Sequence, residues 1–413
     1  MQPRLTRNTM RILFLTSEVP YPARSGGTIK TINVLQHLQR DHEVHVVCFR
    51  GEPLSPEQEA WTAEIGPVLT VGLRRGRSAW NLLRSYGAGV PMSVFRNRSR
   101  RMSRLASERL AAGGFDAAFA DGWLMAQYVP ASFRGLRVLH EHNAEHVMWR
   151  RQADLEASFA RKALVLLEYR RVRAYESATV RRFDAVFAVS EEDRRAIEGL
   201  GTRPGSVLLL PNVPQEGLLD RPPLHPPHEP TLLFLGTLGW PPNAEGLRRF
   251  LRWGFPALRA RRPDLRLVLA GTGAPSWLVR LASATPGVEH TGPVLDPEPL
   301  YRRARAFVEV GLGGSGTRVK VLNAMARGVP VVSLPWGVEG LNGVPGEHAL
   351  VGRNEAELVD LLGEVLDDDA RWHVLSEGGR RLVRERYVPE IAFASLDSVL
   401  AASSDDLTRN PGQ

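Results

Sequence analysis

A single cysteine, Cys48, stands in a chain of 413 residues, so neither a disulfide framework nor a thiolate metal cluster can be assembled from it. That suits a reducing cytoplasm. No segment approaches the roughly 20 apolar residues of a membrane span. The polar stretch from Met1 to Thr9 lacks the apolar run of a signal peptide, so any membrane contact is expected to be peripheral. Aromatic residues make up only 7% of the chain, and neither a stacking platform nor a recognised nucleic-acid motif is visible, which argues against nucleic acid as a partner. What is present is basic charge: 53 Lys plus Arg stand against 45 Asp plus Glu, a net +8. That excess favours phosphates or an acidic membrane surface, or else reflects arginine-rich solvated faces.

Strand-like apolar runs alternate with helical patterns through most of the chain, the signature of doubly wound parallel α/β sheets. Arg11 to Thr16 reads as a buried strand, Pro20 to Gly27 as a turn-rich loop, and Thr28 to Leu38 as a helix with Ile29, Ile32, Leu35 and Leu38 on one face. Further strands are predicted over Val44 to Phe49, Pro67 to Val71, Asp116 to Ala120, Leu136 to Leu139, Ala185 to Val189 and Val207 to Leu210. A long basic helical stretch runs from His146 to Arg182 with an apolar turn at Ala163 to Leu167. The segment 214–230 is too rich in proline for helix or central strand and reads as an interdomain linker. The alternation then restarts with strands at Thr231 to Leu235, Leu265 to Ala270, Ala306 to Val310 and Val329 to Ser333, and helices from Ala244 and over Arg318 to Ala326. Two domains are therefore expected, 10–213 and 231–389. A C-terminal helix at 390–404 is expected to pack back on the first, ahead of a disordered tail at 405–413. Open α/β sheets bind ligands beyond the carboxyl ends of their strands, so the cleft between the halves is the expected site.

Three loops in such positions carry chemistry. Gly311, Gly313, Gly314, Ser315, Gly316 and Thr317 lie between a strand and a helix whose first turn holds Arg318 and Lys320. Glycines let backbone amides converge, Thr317 is placed to cap the helix, and the helix N-terminus favours an anion. Cations in a first turn oppose the helix dipole, an arrangement that makes sense with a diphosphate bound. A second loop runs from Gly236 and Thr237 to Asn243, the expected cap of its helix. The third, Pro20 to Gly27, brings Gly26 and Gly27 to a helix start without the order G-x-G-x-x-G, which disfavours a plain NAD-binding domain. After the strand ending at Leu139 comes His140, Glu141, His142, Asn143, Ala144, Glu145, His146, and His142 is the residue best placed to meet substrate. His142 to His146 also matches H-x-x-E-H, a zinc pattern that requires a helix. Asp367 and Asp369 read as helix caps rather than metal ligands.

Taken together, these segments resemble the retaining glycosyltransferases of family 4, a GT-B group with two Rossmann-like domains facing across a cleft. The resemblance covers nearly the whole chain and is strongest at Arg11 to Gly27, around His142, at Val189 to Glu192, Leu210 to Val213, Leu233 to Phe250 and Gly313 to Ser333. It implies transfer of a sugar from a nucleotide diphosphate sugar with retention and without metal or other cofactor, the nucleotide sugar being a substrate. It implies that Gly26 and Gly27 line the junction of donor and acceptor, Gly26 on the donor side and Gly27 by the reacting centre. His142 then lies beside the transferred sugar, and Gly236 and Thr237 open the first donor loop. The family's Glu pair, spaced eight apart, reads Ser315 and Asn323 here, Asn323 retaining the capacity to bond a ribose hydroxyl. The usual basic residues of the first donor loop are missing too, and Arg318 and Lys320 supply the charge instead.

Departure of a nucleoside diphosphate builds negative charge, which positioned cations and amides neutralise without metal. Under retention the leaving phosphate can take the acceptor proton, and Glu145 is the candidate base if one is used, or a solvated carboxylate at a helix start. Polysaccharide or lipid-linked intermediates of the cell envelope are the expected acceptors. Val94 to Leu110, with six arginines around Phe95, Met102, Leu105 and Leu110, reads as a contact for an anionic membrane or as a solvated helix face. Ser315 and Asn323 keep open a catalytically silent scaffold, and His142 with His146 a metalloenzyme.

Overall fold

The computed structural model describes residues 9–23, 25–73, 79–203, 205–314 and 316–409, without the side chains of 79–82 and 405–409. Ser315, one of the residues singled out above, lies outside the described residues. The chain forms two units. One comprises Met1–Pro22, Thr31–Pro211 and Phe393–Gln413 and the other Ala23–Lys30 and Asn212–Ala392, within the described residues.

The first unit holds seven parallel strands: β1 (Arg11–Thr16), β2 (Glu43–Arg50), β3 (Val68–Gly72), β4 (Ala117–Asp121), β5 (Leu136–Glu141), β6 (Ala185–Ala188) and β7 (Val207–Leu209). Their order is β3-β2-β1-β4-β5-β6-β7, reversing direction between β1 and β4. Both faces are covered, which is why β4 and β6 are buried at every position and read as continuous apolar runs. Phe14 and Phe119 stack at 4.9 Å across β1 and β4. The register sets Thr16 opposite Asp121 and Asp121 opposite His140, so three adjacent strands end in one row at the switch point.

The stretch 146–182 is two helices, Glu145–Leu155 and Phe159–Val180, not one. Glu156 is extended and its carboxylate accepts from the Ser158 amide, a local bond that competes with the helix and turns the chain into a hairpin. After Phe393, the helix Ala394–Arg409 belongs to this unit, tied by His37 to Asp397 at 2.7 Å and by His37 against Phe393 at 5.0 Å. It continues over 405–409, where composition predicts a disordered tail, because no breaker interrupts it before Pro411. Residues 410–413 lie outside the described residues.

The second unit has six parallel strands: β8 (Thr231–Leu235), β9 (Arg266–Ala270), β10 (Val288–Gly292), β11 (Ala306–Glu309), β12 (Val331–Ser333) and β13 (Leu350–Val351), ordered β10-β9-β8-β11-β12-β13. β10 and β13 have no counterpart in the sequence reading. They are edge strands, one half-exposed and polar, the other two residues long. The proline-rich segment is not a free connector. Leu218 is buried, and guanidinium groups hold its carbonyls: Arg380 bonds those of Leu219 and Arg221, and Arg327 that of Pro222. Prolines offer few amide donors, so carbonyls met by arginines replace a sheet ladder.

Candidate functional site

In the first unit the organising group is Asp121, one residue beyond the strand predicted over Asp116 to Ala120. It closes β4, fully buried, with its Oδ1 accepting from His140 Nδ1 at 3.0 Å and His142 Nε2 at 2.7 Å. Its Oδ2 accepts from Thr31 Oγ1 at 2.5 Å and Thr16 Oγ1 at 3.3 Å. Burial alone would push its pKa up, but the attraction of His142 and the hydrogen bonds of both histidines outweigh it and hold the carboxyl well below the usual carboxylate range. An ionised carboxylate only accepts, so His142 carries a proton on Nε2. His140 and Asp121 are sealed, whereas the His142 side chain keeps 23% of its surface. His142 is thus the face that this cluster shows to solvent.

Three potential ligand atoms of Asp121, His140 and His142 fall within 4.8 Å, yet both histidines point a ring nitrogen at the same carboxylate oxygen, the geometry of a hydrogen-bonded relay. The H-x-x-E-H reading fails here. His142 precedes the helix that begins at Glu145, and His146 turns away to Glu176, Nδ1 to Oε2 at 2.8 Å.

The loop carrying His142 is fixed from below. Glu176 accepts the amides of Glu145 and His146 at 2.9 Å each, capping that helix, and Asp193 accepts the amide of Ala144 at 3.0 Å. Glu145, the candidate base, is therefore held at a helix start with its side chain half-buried. Between the two histidines, strand alternation turns Glu141 to the opposite face. It is fully buried, and neither carboxylate oxygen has a hydrogen-bond partner among the described residues. Burial, followed by repulsion from Glu176, Glu145 and Asp193, raises its pKa well above the ordinary value. Folded protein keeps this proton, whereas the unfolded chain releases it above pH about 4.3. Stability is accordingly lost as pH rises above that value, until the folded group itself ionises. Glu141→Gln removes this loss: its melting temperature relative to wild type is expected to climb by several degrees between pH 5 and pH 8. A constant gap measured by thermal unfolding across that range would contradict it.

In the second unit the loops after β8, β9 and β11 meet backbone to backbone. A Cβ on Gly271, whose φ is +139°, would fall 1.7 Å from the Gly236 carbonyl. One on Gly314, at φ +111°, would fall 2.6 Å from the Trp240 ring and 2.8 Å from the Arg318 guanidinium. Gly311, Gly313 and Gly316 stand in the order G-x-G-x-x-G between β11 and the helix Val319–Arg327, a spacing that the sequence reading did not use. Arg318 donates to the carbonyls of Gly316 and Gly313, both at 3.1 Å, and of Trp336 at 3.2 Å. The amides of Gly311 and Leu312 go to Glu309 and Pro242. A glycine run of this kind ahead of a helix start is a backbone arrangement that favours an anion.

Lys320 reaches back beneath Gly236. Its Nζ lies 2.7 Å from Glu309 Oε2, 2.9 Å from Asn243 Oδ1 and 4.3 Å from the Phe234 ring centre. Burial presses its pKa below the lysine value, Glu309 pulls it back, and Arg318 adds to the depression. Glu309 is the residue missed here, an acid at the last position of an otherwise apolar buried strand. Its charge balances Lys320.

Several expected roles are reassigned. Thr317 does not cap the helix. Arg318 occupies that position, and the buried Thr317 Oγ1 has no hydrogen-bond partner among the described residues, while the Thr317 carbonyl accepts from Asn212 at 2.7 Å. Asn243 is not a cap either, because Pro241 supplies the first helical position. Its side chain instead donates to the Thr237 carbonyl at 2.9 Å. Asn323 is buried with Oδ1 committed to the Gln215 amide at 2.8 Å, so the ribose role is not open to that oxygen. Gly26 and Gly27 open the helix Gly26–Asp41 behind Ser25, whose Oγ accepts the Thr28 amide at 3.1 Å, and a Cβ on Gly26 would lie 3.7 Å from that of Val319. Asp368, between the two aspartates considered above, caps the helix Asp369–Arg386, Asp367 pairs with Arg262, and Asp369 pairs with Arg305 at 2.5 Å. In the 94–110 segment Met102, Ala106 and Leu110 are core, and its exposed residues are Arg98, Arg100, Arg101, Ser103, Arg104, Glu108 and Arg109.

Comparison with known proteins bears on this arrangement. A profile described as glycosyl transferase 4-like domain matches residues 26–213, and one described as glycosyl transferases group 1 matches residues 229–368. An uncharacterized 44.6 kDa protein in the cps region of Klebsiella pneumoniae is 23% identical over 403 residues, 94% of this chain and 98% of that protein. Sucrose-phosphate synthase from Thermosynechococcus elongatus is similar over 97% of this chain and 98% of its own, with a TM-score of 0.64 and 18% identity. Anabaena HepE in complex with UDP and glucose is similar over 95% and 99%, at 0.66 and 13%. A variant of S. aureus TarM in complex with UDP, fondaparinux and alpha-GlcNAc-glycerol is similar over 95% and 100%, at 0.71 and 8%. These structural likenesses concern the fold, two Rossmann-like parallel-sheet domains. With two adjoining family matches spanning most of its length on that GT-B fold, the chain belongs to the group 1, family 4-like glycosyltransferases.

Proposed function

We propose that the chain transfers a sugar from a nucleotide diphosphate sugar to a carbohydrate or lipid-linked acceptor of cell-envelope polysaccharide synthesis, with retention and without a metal. The observation that carries this reading is the glycine loop of the second unit, where Gly313, Gly314, Gly316 and Thr317 stand beside Arg318 and, with Gly236 and Thr237 of the loop after β8, near the buried Lys320–Glu309 pair. Such a surface suits a diphosphate: glycines ahead of a helix start put no side chain in the way of the backbone, and Arg318 adds a cation beside the loop. His142, bonded to Asp121, is the group proposed to meet the transferred sugar, and Gly27 keeps its proposed place by the reacting centre. Ser315 retains its proposed place in the diphosphate loop. The cps-region relative supports a polysaccharide product, and UDP in HepE and TarM supports a nucleotide donor. The proposed location is cytoplasmic. No helix among the described residues is long and apolar enough to cross a membrane.

Asn323, committed to Gln215, favours one rival, a silent scaffold on the same fold. Turnover separates the two. Given a panel of nucleotide sugars in EDTA, the protein is expected to release nucleoside diphosphate from at least one donor at an undiminished rate. Absence of release across the panel would favour the scaffold, and loss of rate on chelation would overturn metal independence.

A further inference from the structure

The 145–155 and 159–180 helices form a hairpin whose tip displays apolar side chains outward. Phe159 is 88% exposed, Leu155 59%, Leu164 58% and Leu167 43%. On the second helix the exposed residues Phe159, Ala160, Ala163, Leu164 and Leu167 follow the spacing of one helical face, so the outward stripe is apolar throughout. Large apolar groups gathered at one exposed tip mark an interaction surface more strongly than singly scattered ones do. The hairpin is braced at its base: Arg171 pairs with Glu168, donates to Ser85 at 3.2 Å, and stacks 3.8 Å over the Tyr86 ring. The adjoining helix Ala79–Gly87 adds Leu83, itself 62% exposed.

We propose that this hairpin tip docks on an anionic lipid bilayer. Charge selects the occupant. The two helices carry Arg150, Arg151, Arg161, Lys162, Arg170 and Arg173, and near the tip the acids among the described residues are Asp154, itself paired with Arg150, and Glu156. A second copy of the chain would bring the same basic rim against itself and be repelled. An anionic bilayer offers an apolar interior for Phe159 and Leu164 and a negative surface for the rim. The arginines of 94–110 add long-range attraction but no insertion, since their apolar partners are core. The proposal stands on the hairpin alone and is independent of the donor site.

Co-sedimentation tests it with the full chain and two vesicle types, pure phosphatidylcholine and a mixture with about one-third phosphatidylglycerol. Wild type is expected to partition at least about tenfold more strongly onto the anionic vesicles, and Phe159→Glu/Leu164→Glu to lose at least about tenfold of that binding. Both positions are exposed, so the variant should melt as wild type does, and its turnover of a soluble donor and acceptor should be unchanged. Equal binding of variant and wild type, or absence of wild-type binding to anionic vesicles, would overturn the proposal. So would a concentration-dependent dimer in sedimentation velocity that the same double variant abolishes, since the face would then belong to a second copy.

Discussion

Replacing Lys320 with Met is expected to destabilise the protein by about 3–5 kcal/mol, because it strands the buried Glu309 carboxylate. The same change should weaken binding of a nucleoside diphosphate by about 10- to 100-fold, the range for losing a charge-assisted hydrogen bond. The two effects have different origins and can be separated. In Lys320→Met/Glu309→Gln the stranded charge is gone, so the unfolding midpoint should recover much of the loss. Diphosphate affinity should not recover, since neither new side chain is a cation. Unfolding by denaturant and calorimetric titration read the two quantities independently. If affinity followed stability back up in the double variant, Lys320 would be a purely structural residue.

Asp121→Asn is expected to lower turnover by about 100-fold or more with little change in KM. The carboxylate accepts from two imidazoles and two hydroxyls at once. An amide in its place presents a donor to some of those partners, so His142 is driven to another tautomer or another rotamer. Because Asp121 is held ionised well below the usual range, the deficit should be uniform through neutral pH. The sign for stability is the reverse of that for Glu141. The pKa of Asp121 is lower in the fold than in the unfolded chain, so its contribution is complete above about pH 4 and is lost only as pH falls below that. Steady-state kinetics across neutral pH check the first point, and acid unfolding of wild type against Asp121→Asn checks the second.

Why one half of each charge pair was legible and the other was not follows from how the contacts are made. Lys320 sits in the first turn of a helix behind a glycine run, a position whose electrostatics can be reasoned from sequence alone. Glu309 lies 11 positions earlier, at the end of an apolar strand, and meets Lys320 only because the glycine loop doubles back. His142 was found by its place after a strand, whereas Asp121 owes its role to register, which sets β4 between β1 and β5. The continuous apolar runs of β1, β4 and β8 announce buried parallel strands, but Val288–Gly292, half exposed at a sheet edge, carries no such pattern. Periodicity identified apolar faces at 94–110 and at 163–167 without saying which would find a partner. Met102 and Leu110 went into the core, and Leu164 and Leu167 stayed outside.

Calorimetric titration of the wild-type protein with a nucleoside and with its diphosphate tests the central claim most directly, that the glycine loop beside Arg318 and Lys320 holds a pyrophosphate. The diphosphate is expected to bind at least about tenfold more tightly than the nucleoside, with affinity falling as salt rises. Equal affinities for the two, or binding indifferent to salt, would contradict it.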